Sequence, residues 1–382
     1  MSLPLSGVRV LDLTRLLPGG LCTMLLADMG ARVVKVEEPG KGDYIRLAPP
    51  LLDGVSPFHA IVNRNKRSLA LNLKKEEGKA VLRRLISRSN VFVEGFRPGV
   101  MERLGFSFDS VKELNPTIVY CSISAFGHRH KMSSMPGHDI NFQALSGALA
   151  VGRKPELPMV QLADLCAGMY AAVGVLAALA RARRSAVHVD VPIVPSLVSW
   201  LILPLAMRLV AGRPPKPEDG LLTGSDPFYG LYETADGRQI AVAAIEDDFR
   251  HNLIRELGSP ELESLAHDGG RGRCRAKRLL KKIFASKTRD EWHSQLSFKE
   301  TCVTPVLDIG EVVGLGRIAG RTLSRGLIGG LLPSPLSFSP YGQTHTIRAA
   351  PRLGQHTTEI LKELGYTEHQ ILRLEKSGVV QR

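Results

Sequence analysis

Along the first third of the chain, short apolar runs with strand periodicity alternate with longer helical stretches. Val8-Arg9-Val10-Leu11-Asp12-Leu13 alternates and reads as a strand. Arg15-Leu16-Leu17-Pro18-Gly19-Gly20 reads as a loop, residues 21–29 as a helix stopped at Gly30, and Ala31-Arg32-Val33-Val34-Lys35-Val36 as a second strand. Strand, glycine-containing loop, helix and strand make a βαβ unit, which implies a parallel sheet. The pattern repeats. Leu69-Ala70-Leu71-Asn72-Leu73 is a strand, and a helix follows to about residue 89. Val91-Phe92-Val93-Glu94 is a buried strand, residues 100–104 form a short helix, and Thr117-Ile118-Val119-Tyr120-Cys121-Ser122-Ile123 is another strand. The predicted fold class is α/β, a doubly wound domain with a parallel sheet.

Beyond about residue 125 the pattern changes. Residues 141–149 and 167–181 are helices rich in small residues, the second apolar on all sides and so expected to be buried. Val187-His188-Val189-Asp190-Val191 returns as a strand. The most apolar stretch, residues 193–212, is interrupted by Pro195 and Pro204 and charged at Arg208. It reads as a buried helix pair, since a membrane span needs ~20 unbroken apolar residues. Residues 213–227 have the composition of a linker. A second domain starts near Phe228, where Asp236-Gly237 joins two apolar runs as a hairpin. Helical, charged segments run to about residue 296. The short strand Cys302-Val303-Thr304-Pro305-Val306-Leu307, an irregular glycine-rich stretch at 314–330 and two terminal helices at 358–364 and 367–376 complete the chain.

The length of 382 residues supports two domains. The five cysteines are scattered, with no CxxC pair, so disulfides and structural zinc are not expected. No basic-then-apolar leader opens the sequence, and a reducing, cytoplasmic setting is expected. The net charge of +13 favours a polyanionic or phosphate-rich partner. The densest basic run, Arg271 to Lys282, has no interleaved aromatic residues to stack nucleobases. It reads as a solvated helix face, and no nucleic-acid partner is expected.

Chemistry concentrates in Gly137-His138-Asp139-Ile140-Asn141 and in Asp164, polar breaks between apolar helical runs. An imidazole and a carboxylate aimed at one carbon from opposite sides can remove a proton and return one. Each also has a structural reading: His138 opens a helix with Asp139 as its N-cap, and Asp164 caps the helix of residues 167–181. Backbone N–H groups beside Asp164 could hold a developing oxyanion. Glu246, at a strand end of the second domain, could reach a domain cleft. Arg64, Lys66, Arg67, Lys74 and Arg97 fall at strand or loop ends, where α/β sheets bind ligands and where Arg or Lys meets phosphate.

Several longer motifs are familiar together: Leu25-Leu26-Ala27-Asp28-Met29-Gly30-Ala31-Arg32-Val33-Val34-Lys35-Val36-Glu37, Asn65-Lys66-Arg67-Ser68-Leu69-Ala70-Leu71-Asn72-Leu73-Lys74, and Glu94-Gly95-Phe96-Arg97-Pro98-Gly99-Val100. Gly137-His138-Asp139-Ile140-Asn141, Thr234-Ala235-Asp236-Gly237-Arg238 and Cys302-Val303-Thr304-Pro305-Val306-Leu307 join them. On these, the chain resembles the family III CoA-transferases, and within them the α-methylacyl-CoA racemase branch, over nearly its whole length. The resemblance implies a Rossmann-like large domain (residues 1–212), the 213–227 linker, a smaller α+β domain (228–325) and a C-terminal segment (326–382) returning to the large domain. It also implies an interlocked homodimer.

By the same resemblance, Asp164 is the carboxylate shared by both reaction types: an acyl-accepting nucleophile in transferases, an acid/base in racemases. His138 stands where racemases carry His, and Glu246 is its partner. CoA contacts are implied at Arg67, Leu71, Asn72, Leu73, Lys74, Arg97, Gly137, Asp139, Ile140 and Asn141. The implied reaction is 1,1-proton transfer at the α-carbon of a 2-methylacyl-CoA through an enolate, with the thioester as substrate and no metal or redox cofactor. The alternatives are CoA transfer through an aspartyl-CoA thioester at Asp164, and a non-catalytic CoA- or nucleic-acid-binding basic protein. The sequence departs from the family pattern at Glu38, where Arg is usual, at His128-Arg129-His130-Lys131, where Gln-Thr-Gly-Pro is usual, and at Arg183-Arg184-Ser185-Ala186, which replaces Gly-Lys-Gly.

Overall fold

The structure, a computed structural model, describes residues 3–52, 54–151, 155–181, 185–213, 216, 220–267, 269–314, 317–318, 321–322 and 347–382. Arg183 and Arg184, Pro214, Pro215 and Pro217 of the linker and most of the glycine-rich 314–330 stretch lie outside these.

In chain order the strands are β1 (Arg9–Leu13), β2 (Arg32–Glu37), β3 (Arg67–Leu71), β4 (Val91–Glu94), β5 (Val119–Ser124), β6 (Val187–Pro192), β7 (Tyr229–Glu233), β8 (Gln239–Ala243), β9 (Val303–Pro305), β10 (Arg317–Ile318), β11 (Arg321–Thr322) and β12 (Val380–Gln381). The helices are α1 (Leu16–Asp28), α2 (Pro57–Val62), α3 (Glu76–Ile86), α4 (Val100–Leu104), α5 (Phe108–Leu114), α6 (Asp139–Ser146), α7 (Leu162–Leu179), α8 (Ile193–Val198), α9 (Ile202–Ala211), α10 (Asp247–Leu257), α11 (Glu261–His267), α12 (Gly269–Phe284), α13 (Arg289–Leu296), α14 (Ile309–Gly314), α15 (Thr357–Glu363) and α16 (Glu368–Lys376).

The chain divides into two units: Met1–Ala148, Leu157–Trp200 and Arg317–Arg382 in one, Leu149–Glu156 and Leu201–Gly316 in the other. The first is built on a seven-stranded sheet of order β12-β3-β2-β1-β4-β5-β6. Its six inner-sequence strands are parallel, and β12 pairs antiparallel with β3 at the edge. Successive strand residues feed opposite cores. Val10, Val33, Val93, Cys121 and Ile123 pack towards α1 and α7, while Leu11, Val36, Leu69, Phe92 and Tyr120 pack with residues of α3 and α15. Burial on both faces explains why most positions of these strands are apolar. The order reverses between β1 and β4, and the crevice at such a switch point is where open α/β sheets take ligands.

Pro18, Gly19 and Gly20 are not a loop: α1 begins at Leu16. Proline is tolerated in a first turn, whose N–H groups lack intrahelical partners anyway. A Cβ on Gly19 would lie 2.2 Å from Thr14 Cβ, so the glycine lets the helix start hard against the end of β1. α7 is long and apolar enough to cross a membrane by length and composition. Its Ala163, Ala167, Ala171 and Val175 are core residues, and Gly168 brings it against α1, where a Cβ would stand 2.6 Å from the Pro18 carbonyl oxygen. Burial on all sides does not hold, however: Met169, Tyr170 and Val173 are exposed. The expected buried helix pair is likewise half correct. α8 is buried, whereas α9 has no buried residue and exposes Ile202, Leu209 and Val210.

The second unit holds the antiparallel sheet β7-β8-β9. Phe228, Tyr232, Ile240, Leu280, Phe284 and Trp292 lie in its core. Ala276, Leu280 and Phe284 of α12 point inward while Arg271, Arg273, Arg275 and Arg278 face solvent, a solvated basic helix face.

Candidate active site

His138 is the N-cap of α6, and Asp164 lies in the first turn of α7. Asp139 ties the two helix starts together. Its Oδ1 accepts the backbone N–H groups of Ala163 (2.9 Å) and Asp164 (3.1 Å), and its Oδ2 accepts Gln143 Nε2 (2.6 Å). Gln143, buried, also donates to the Val160 carbonyl at 3.2 Å. The backbone N–H of His138 donates to Asn141 Oδ1 at 3.0 Å, which closes the first turn of α6. Phe142 packs where a Cβ on Gly137 would fall, 2.7 Å from its Cε1, so only glycine lets the chain enter the helix at that angle.

Two expectations are corrected here. Asp139 is not the N-cap of its own helix, and Asp164 is not the N-cap of α7; Asp139 caps α7 from outside. The N–H groups of Ala163 and Asp164 are therefore already occupied, as is that of Leu165 by the Gln161 carbonyl. They are not open donors for an oxyanion.

The same cap changes the acidity of Asp164. Burial, and then the neighbouring charge of Asp139, push its carboxyl up from 3.8 to about 7. Such a group is half protonated near neutral pH. It can act as acid or base without a large energetic cost either way. His138, Ile140 and Asn141 are exposed in the single chain.

A pocket of about 210 Å³ opens at the carboxyl ends of β1 to β4. Leu13, Thr14 and Arg15 come from the end of β1, Glu37 and Glu38 from that of β2, Leu71, Asn72, Leu73 and Lys74 from β3, and Phe96, Val100 and Leu104 from beyond β4. It straddles the switch point, and it contains four predicted CoA contacts, Leu71 to Lys74. The start of α1 leads from Arg15 at this pocket to Pro18 against Gly168, one turn after Asp164 in α7.

Glu38, which departs from the family pattern, is ringed by cations: Lys74 Nζ at 3.0 Å, Lys41 Nζ at 3.8 Å and Arg15 Nη2 at 3.9 Å. Arg15 also lies over the rings of Tyr44 (5.2 Å) and Phe96 (5.4 Å) and donates to the Tyr44 hydroxyl at 3.0 Å. Arg15 and Phe96 were not singled out from the sequence. The position of Arg15, directly after the first strand, was the available signal.

Other predicted cations have different partners. Arg64 is buried with Asp28 (2.6 Å), and Lys66 is buried with Asp12 (3.1 Å). Both serve the core and not a phosphate. Arg67 pairs with Glu359 (3.2 Å) and Glu363 (3.0 Å) of α15 and does not line the pocket. Arg97 is exposed beside Phe96. Glu246 belongs to the second unit, where it is exposed and forms the N-cap of α10, its carbonyl accepting the Arg250 N–H at 3.0 Å.

Comparison with known proteins places the chain in a family. The family model for CoA-transferase family III matches residues 5–357. An α-methylacyl-CoA racemase of Mus musculus is 35% identical, over 99% of this chain and 97% of that protein. A succinyl-CoA:glutarate CoA-transferase of Homo sapiens is 31% identical, over 99% of this chain and 90% of the relative. The crystal structure of a CAIB/BAIF family protein from Brucella suis superposes with a TM-score of 0.81 at 27% identity, covering 95% of this chain and all of that one. The chain belongs to CoA-transferase family III.

Proposed function

We propose that this chain is a racemase of 2-methylacyl-CoA thioesters, in which His138 and Asp164 exchange the α-proton from opposite faces of the substrate. The observation that carries the proposal is the Asp139 clamp, which joins the residue next to His138 to the backbone of Asp164. The α-C–H of a thioester is acidified because its enolate places charge on the carbonyl oxygen. In one direction a deprotonated His138 takes the proton and protonated Asp164 returns one; in the other the roles reverse. A two-base reaction needs one partner protonated and the other not, and a carboxyl titrating at about 7 supplies either form. These steps use the thioester and side chains only. Glu246 is proposed to partner His138, and the pocket over Leu71 to Lys74 to take the nucleotide of CoA, with Lys74, Lys41 and Arg15 near its phosphates.

A homodimer is part of the proposal. Leu157, Met159, Met169, Tyr170, Val173 and Trp200 of the first unit are exposed, and such apolar side chains favour burial against a second copy. The second reading, CoA transfer through Asp164, draws support from transferase relatives that match over the same length.

The deciding experiment is incubation with a 2-methylacyl-CoA in D2O, with mass spectrometry of the recovered thioester. Deuterium uptake at the α-carbon from both enantiomers is expected. No uptake, together with a CoA adduct trapped on Asp164, overturns the racemase reading in favour of transfer.

The pH profile provides a second test. The charge of Asp139 disfavours ionisation of Asp164, so removing it lowers the Asp164 pKa. In Asp139→Asn, the Oδ1 cap can persist while the charge is lost. The limb of the exchange profile near pH 7 is expected to move to lower pH, with helix content unchanged by circular dichroism.

A further inference from the structure

Outside the His138–Asp164 site, β5 and β6 bring together a second set of side chains. Tyr120 pairs in register with His188, and Ser122 with Asp190. Alternate residues of a strand share a face, so Ser122, His188 and Asp190 project on one side of the sheet. The loop after β5 folds His128 back onto them. Its backbone N–H donates to Asp190 Oδ2 at 3.0 Å, and its ring Nδ1 lies 3.3 Å from Asp190 Oδ1. Gly127 makes this return possible. It has φ +82°, and a Cβ there would stand 3.1 Å from Asp190 Oδ2. Ser122 Oγ sits 2.7 Å from His188 Nε2 and 3.4 Å from both His128 Nδ1 and Asp190 Oδ1. His188 is stacked on Phe108 (5.4 Å) and met edge-on by Tyr120 (5.2 Å).

We propose that His128, His188 and Asp190 bind one transition-metal dication of the zinc class. Each offers a ligand atom, and the three lie within 4.8 Å of one another. A tetrahedral ion with metal–ligand bonds of about 2.0–2.1 Å has ligand–ligand edges of about 3.3–3.4 Å. The His128–Asp190 edge already has that length, and the His188 ring has to close on it. Two imidazoles and a carboxylate suit Zn2+, and also Co2+ or Ni2+. The Ser122 hydroxyl, 2.7 Å from His188 Nε2, lies beside the ligand set. Glu94, the register partner of Ser122 on β4, adds a further carboxyl to the surroundings. The role of such an ion is to fasten the loop that runs from β5 to His138 onto β6. The proposal does not depend on which CoA reaction the chain performs.

The test uses the untagged full chain after treatment with a chelator. Zn2+ is titrated in competition with a chromophoric chelator, and Co2+ is followed by its visible d–d absorption. One equivalent is expected, with an intense tetrahedral Co2+ spectrum that Zn2+ displaces. His128→Gln and Asp190→Asn are each expected to weaken binding ~100-fold or more, beyond the 10–100-fold typical of outer-shell partners. His130→Gln, in the same loop but outside the ligand set, is expected to keep the full equivalent. Should a variant fail to fold, protection of His128 and His188 by Zn2+ from carbethoxylation in the unaltered chain, read by mass spectrometry, takes its place. Absence of binding by the unaltered chain, undiminished binding in both variants, or no protection would overturn the proposal.

Discussion

Changing His138 to Ala is expected to slow α-hydrogen exchange by about 10²–10⁴-fold, the usual contribution of a positioned acid or base. In free energy that is about 3–5 kcal/mol of barrier. The imidazole takes part in the capping box at the start of α6, but that turn has other anchors. The first turn of α6 is closed through backbone atoms of His138, whose N–H meets Asn141 Oδ1 and whose carbonyl accepts the N–H groups of Asn141 (2.8 Å) and Phe142 (3.2 Å). Ala keeps all three and loses the side-chain half of the capping box, so helix content by circular dichroism is read beside the rate. The variant also separates the two reaction types. On the proposed roles, Asp164→Ala is expected to remove racemisation and transfer alike, and His138→Ala only proton transfer. Full-rate exchange from both enantiomers in His138→Ala, measured by mass spectrometry in D2O, would rule His138 out as a base.

The largest stability effect is expected at Asp12. Its carboxylate accepts Lys66 Nζ (3.1 Å), the Thr23 hydroxyl (2.6 Å) and both the N–H (2.9 Å) and hydroxyl (2.6 Å) of Thr14, all buried. It joins the end of β1, the body of α1 and the turn before β3, and so shapes the strand ends under the pocket. Lys66 Nζ also donates to the Gly20 carbonyl, Thr23 and Asn63 Oδ1. Asp12→Ala leaves that ammonium buried without its counter-charge, at a cost of about 3–5 kcal/mol. Urea denaturation is expected to show this loss, and Asp12→Ala with Lys66→Met to recover much of it. If the single variant loses less than ~1 kcal/mol, the ion pair is not what secures this corner.

Acid gives an independent measure of the same pair. Burial alone would raise the Asp12 pKa, but the charges of Lys66 and Lys35 and the hydroxyls of Thr14 and Thr23 outweigh it and hold it below its ordinary 3.8. A carboxylate depressed in the folded state contributes stability above its unfolded pKa of about 4. That contribution fades as pH falls towards the folded value. Acid unfolding of the Asp12→Ala variant is expected to be correspondingly less steep below pH 4.

Local pattern carried a large part of this description. The strand positions of Leu11, Val33, Leu69, Phe92 and Tyr120 were legible because strands buried on both faces are mostly apolar. His138 and Asp164 stand out in the sequence as polar breaks between apolar helical runs, each with a structural reading beside the chemical one. The motif Leu71 to Lys74 was legible through resemblance, and the pocket at the strand ends includes it.

What the sequence by itself determined, then, is the order of strands and helices, the parallel sheet and the family, since each is written in periodicity or in contiguous motifs. Tertiary structure alone decided which charges line the pocket and which serve the core. Arg64 and Lys66 look like Lys74 in the sequence, but Asp28 and Asp12, 36 and 54 residues away, claim the first two. It also decided that Asp139, 25 residues before Asp164, caps its helix and raises its pKa. The physical reason is the same in each case. A buried charge or an open helix end is satisfied by whichever partner the fold brings within about 3 Å, and that partner's distance along the chain leaves no local trace.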